Sequence, residues 1–172
     1  MFEMGEKMKK LLIGLFLALG LGFAAQAAHH DSDEDSSPAA HRSPSPEGAT
    51  VSFANIEDGA VVPTTFLVQF SVSGMGIAPA GTDIENTGHH HLLIDVEELP
   101  NANLPLPANE NFVHYGKGQT ETTLTLPEGT HTLQLVFADY VHIPHDPVVK
   151  SERVTIVVSA DAEGMDGQSA EE

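Results

Sequence analysis

Seven histidines stand in the central part of the chain, at His89, His90, His91, His114, His131, His142 and His145, and the chain has no cysteine. Imidazole is the commonest protein metal ligand, and without thiolates a metal site must be built from nitrogen and oxygen donors. Two stretches concentrate such donors. GHHHLLID (88–95) sets three imidazoles at the mouth of an apolar run, and VHIPHDP (141–147) carries His142, His145 and Asp146 between two prolines. Pro144 and Pro147 fix their own φ and push Ile143 and Asp146 toward extended backbone, so this segment is stiff. The chemistry this predicts is a nitrogen-rich transition-metal site for copper or zinc. Its expected ligands are His89, His91, His114, His142, His145 and Asp146, supported by Asp95, Asp139, Asp146 or Glu121. The competing expectation is a structural His/Asp network that satisfies the backbone groups of irregular rim loops without any metal.

The elements that must hold these residues are read as strands. Alternating β-branched and aromatic stretches recur between turn residues, whereas helical periodicity is missing after residue 27. Strands are predicted at 50–56, 64–73, 90–96, 120–126, 131–139 and 153–159, with a short one near 111–115. Turns are expected at Glu57-Asp58-Gly59, Pro127-Glu128-Gly129 and Gly74–Gly81. Six or seven short strands in about 110 residues predict an all-β fold, a single immunoglobulin-like antiparallel β-sandwich. Strand alternation puts His89 and His91 on one face of GHHHLLID and His90 on the other, so at most two of the three can serve one site. His131 is expected at the edge of an apolar face. The long connections 74–88, 97–118 and 140–150 carry the remaining histidines, as functional loops commonly do.

The two ends are read differently. Lys7, Lys9 and Lys10, an apolar run from Leu11 and the Ala25-Gln26-Ala27 site predict a signal peptide over residues 1–27, hence a periplasmic or secreted protein with no membrane contact after cleavage. Residues 28–48 are read as an acidic Ser/Pro-rich disordered linker, 49–159 as the sandwich domain and 160–172 as a disordered acidic tail. Cleavage would leave Ala28-His29-His30 at the terminus, a spacing that suits a four-nitrogen Cu(II) or Ni(II) set. Loss of residues 1–27 removes three lysines and two glutamates, taking the formal charge from −18 to −19 with Arg42, Lys117, Lys150 and Arg153 as the fixed cations. Such a surface repels nucleic acid. No GxSxG, HExxH or phosphate loop is present, so no catalysis is expected and no organic cofactor is implied. A metal ion is the expected partner, with another cell-envelope protein as a further one. The alternative function is a cell-envelope protein-interaction module without metal.

SGMGIAPAGTDIENTGHHHLLID (73–95), HYGKGQTETTLTLPEGTHTLQL (114–135) and VHIPHDPVV (141–149) together resemble a family of exported bacterial domains of unknown function, family 4399. The resemblance spans about residues 51–158 and implies an exported β-rich domain without a known activity. NIEDGAVVPTTFLVQFSVSGM (55–75) is more loosely similar to the opening of periplasmic copper-carrier domains of the CopC type. That likeness implies copper ligands among His, Asp and Met, with Met75 as a soft candidate.

Overall fold

The computed structural model describes residues 42–164. The predicted signal peptide, the Ala28-His29-His30 motif, the linker up to residue 41 and the tail from residue 165 lie outside the described residues. The described chain is almost entirely β. Ten strands run in order: β1 Thr50–Phe53, β2 Val61–Val62, β3 Thr65–Ser73, β4 Gly76–Ile77, β5 Thr87–Ile94, β6 Phe112–His114, β7 Glu121–Thr125, β8 Gly129–Ala138, β9 Pro144–Lys150 and β10 Val154–Val158. A short 3-10 turn, Ala160–Gly164, follows. No helix among the described residues is long and apolar enough to cross a membrane.

The strands form two sheets, one ordered β1-β3-β7 and the other β2-β10-β8-β5-β4, with β6 added to β5 and β9 to β8. Most pairings are antiparallel, as expected; the two-residue strands β2 and β4 pair in parallel with β10 and β5. The alternation that identified the strands also fills the sandwich. In β3, Phe66, Val68 and Phe70 are buried while the residues between them are more exposed, and β10 repeats the pattern with Val154, Ile156 and Val158. The β3 side chains meet those of β10 and Leu92, Ile94, Leu133, Leu135 and Phe137, all from the larger sheet, in one interior. Met75 packs against that interior, so its side chain is engaged in packing.

The outer face of the larger sheet is covered too. Leu93, Val136 and Ala138 are buried there beneath Leu106, with Val96, Leu99 and Phe112 alongside. The connection between β5 and β6 thus lies over the sheet, and β5 is buried on both faces from Gly88 to Ile94. This two-sided burial takes the GHHH run out of water.

Two expectations change. The VHIPHDP segment, read as a loop, contains the start of β9, a strand that pairs with β8 through Phe137↔Val149 and Ala138↔Pro144. Prolines are tolerated at a strand's first residue and on edges, where no ladder N–H is required. The ordered domain also begins before residue 49. Ser45 N donates to the Asp146 carbonyl and Asp146 N to the Ser43 carbonyl, so residues 43–45 run along β9 as a strap. Arg42 extends the strap, donating to the Pro144 carbonyl at 3.0 Å and to the His145 carbonyl, and pairing with the exposed Asp146 carboxylate at 3.2 Å.

Candidate metal centre

β5 supplies two of the imidazoles. His89 and His91 project from the same face as Leu93, while His90 points into the sandwich, where its ring lies 5.2 Å from Phe70 and 5.0 Å from Phe137. His114 comes from β6, where it stands directly opposite His91 in the antiparallel register. Side chains opposite each other in such a pair share a face. His142 arrives from the turn between β8 and β9. Its φ of 71° lies in the left-handed region, which bends the chain back over the sheet.

These four rings form one cluster. Their centroids lie between 4.6 Å (His114–His142) and 5.9 Å (His91–His142) apart, with the other four pairs at 4.9–5.2 Å. The Nε2 atom of His89 is 3.1 Å from that of His91 and 3.2 Å from that of His114. Ring nitrogens of His89, His114 and His142 all lie within 4.8 Å of one another. Two nitrogens bound at 2.0–2.1 Å to one tetrahedral ion would be about 3.3–3.4 Å apart, close to the observed separations. A ring nitrogen of a neutral imidazole carries either one N–H or one in-plane lone pair, so one Nε2 facing two others cannot satisfy both by N–H···N bonding in any choice of tautomers. A cation among the lone pairs satisfies all of them. The cluster could therefore hold a metal ion.

Burial disfavours the charged form of three of the rings. Burial lowers the pKa of His89 from 6.5 to about 4, helped by repulsion from His114 and His142. Burial likewise lowers His91 to about 3, with His89 and His114 adding to the effect. His114 is lowered by burial and by His142. The Nδ1 atoms of His89 and His91 are buried without a hydrogen-bond partner.

The structure separates the other predicted ligands from the cluster. His145 follows the turn into β9, stacks on Phe137 of the sandwich interior, and sits within 3.3 Å of the Phe137 carbonyl and 3.2 Å of the Thr87 carbonyl. Asp146 is exposed and engaged by Arg42. Asp95 accepts from His131 at 2.7 Å and from the Thr132 amide, and Glu121 accepts from Gln69, so neither supports the cluster. His131, also 3.0 Å from the Pro127 carbonyl, belongs to a structural network, as does core His90. Asp139, the fourth expected supporting carboxylate, holds the His142 turn.

Gly116 is a requirement that the histidine pattern does not reveal. A Cβ at this position would overlap the His114 ring. Gly116→Ala should therefore turn the His114 imidazole out of the cluster, lowering Zn(II) affinity about tenfold or more with little loss of thermal stability, because that ring is only half-buried. Calorimetric titration beside a melting curve reads both quantities, and unchanged affinity would remove His114 from the ligand set.

Fold and site together define a β-sandwich domain whose outer sheet face carries four clustered imidazoles, three of which, His89, His114 and His142, could hold a metal ion. The chain matches the family described as Domain of unknown function (DUF4399) over residues 68–159, and it belongs to that family. Comparison with curated proteins and with solved structures returns no match.

Proposed function

We propose that this protein is an exported metal-binding protein, periplasmic or secreted, that holds one transition-metal ion among His89, His91, His114 and His142 for storage, delivery or buffering. The observation that carries this reading is the convergence of four imidazoles from three separate chain segments, with Nε2 separations of 3.1 and 3.2 Å. Copper and zinc both accept imidazole. Zinc is the better fit. A square set of rings with 4.9 Å sides would have diagonals of about 6.9 Å, whereas the longest centroid distance is 5.9 Å, nearer the equal edges of a tetrahedron. Four protein ligands close the coordination shell, which favours holding an ion over activating a bound water. Another cell-envelope protein would supply or receive the ion.

Titration of the untagged protein with Zn(II), Cu(II) and Ni(II) tests the reading. One equivalent should bind tightly, His142→Ala should weaken binding at least about tenfold, and His145→Ala should leave it within about twofold. Loss in His145→Ala with retention in His142→Ala would reject the four-histidine set. The contrast is sharp because the two residues are three apart in sequence yet have unrelated surroundings.

A further inference from the structure

Asp139 is only 2% exposed, and among the described residues no Lys or Arg pairs with its carboxylate. A buried carboxylate without a cation is costly, so its donors matter. It has three. Oδ1 accepts from the amides of Val141 at 3.0 Å and Ile143 at 2.9 Å, and Oδ2 accepts from the Ser43 hydroxyl at 2.9 Å. The backbone repeats the closure: Asp139 N donates to the Ile143 carbonyl and His142 N to the Asp139 carbonyl, each at 2.9 Å. From the other side Leu106 N donates to the His142 carbonyl at 2.9 Å. All of these bonds except that from Ser43 fall on or beside His142, whose left-handed backbone conformation costs about 1 kcal/mol or more and persists only where its surroundings enforce it.

From this arrangement we infer that Asp139 is the positioning residue of the metal centre: its carboxylate, tied to the strap through Ser43, sets the turn that carries His142 to the other three imidazoles. The inference rests on the metal-binding reading above. It assigns a role to residues 42–45, because Ser43 reaches the turn only while the strap lies along β9. The ligand is a divalent cation, and the carboxylate acts on it through His142 without joining its shell.

Zn(II) affinity and the rate of Zn(II) release to a chelator, measured on the mature chain with Asp139→Ala, Asp139→Asn and Ser43→Ala, test the assignment. Asp139→Ala should lose about tenfold or more in affinity and release the ion faster. Asp139→Asn retains an oxygen that can accept from Val141 and Ile143, and should recover to within about threefold of wild type. Ser43→Ala should fall between them. Amide exchange at Val141 and Ile143, measured without metal, should quicken in Asp139→Ala and stay slow in Asp139→Asn. Wild-type affinity and release in Asp139→Ala would overturn the inference, as would an Asn variant as weak as Ala. If Asp139→Ala does not fold, wild-type release in Ser43→Ala overturns it instead. A wild-type chain that binds no Zn(II) would strike the metal reading itself, and the exchange rates would still decide whether Asp139 holds the turn.

Discussion

Acidification of the metal-free protein should unfold it between pH 6.5 and about 4, above the range where carboxylate protonation alone would do so. The cause lies in β5. Burial lowers His90 to about 4 and His91 to about 3, whereas both titrate near 6.5 in the unfolded chain. The folded state holds these rings neutral, so the unfolded chain binds more protons once the pH drops below 6.5. The stability is therefore fully present above that pH and is lost as the pH falls toward the folded values. The two residues account for about 3 and about 5 kcal/mol respectively, a sum comparable with the whole stability of an ordinary domain. Circular dichroism against pH measures the midpoint. His90→Leu should move it down by about half a pH unit or more, since this ring lies in the sandwich interior beside Phe70 and Phe137 and its removal takes away one proton-binding site of the unfolded chain. A midpoint unmoved by this substitution, or one below about pH 3, would contradict the account. Bound metal should protect the fold, because ligand lone pairs occupied by an ion are closed to protons.

The same strand shows how far sequence can carry the reading. Period-two alternation placed His89 and His91 on one face and His90 on the other, because that parity survives any choice of strand ends. It could not place His114 or His142. Their positions depend on the β5–β6 register and on a turn whose left-handed residue is a histidine, with neither the glycine nor the asparagine that normally marks such a bend. The two prolines of VHIPHDP read as a stiff loop, so His145 and Asp146 were expected beside His142; in the structure the chain leaves the turn and enters β9 within that motif. Nor does RSPSPEG carry a hydrophobic signal. Residues 43–45 are ordered by main-chain hydrogen bonds to Asp146 and by the Ser43 and Ser45 hydroxyls, interactions that composition does not report.

His89→Ala should produce the largest loss of metal binding of any single substitution, at least about a hundredfold, since its Nε2 is within 3.2 Å of two other ligand nitrogens and its ring contacts all three partners. Metal at about a thousand times its dissociation constant adds about 4 kcal/mol to the stability of a protein that binds it only when folded. For a domain of this size that is a rise in Tm of about 15 °C. In His89→Ala the rise should shrink to a few degrees, whereas His90→Leu, one residue along the strand, should keep nearly all of it. The comparison separates ligation from general damage to β5. Both substitutions remove a fully buried imidazole of the same strand, and the metal-induced rise is measured against each variant's own metal-free Tm, so whatever packing each loses drops out of the comparison. Equal thermal shifts in the two variants would mean that the ion binds elsewhere. No shift in the wild type with Zn(II) or Cu(II) would leave the four rings as a neutral network that shapes the outer face of the sheet.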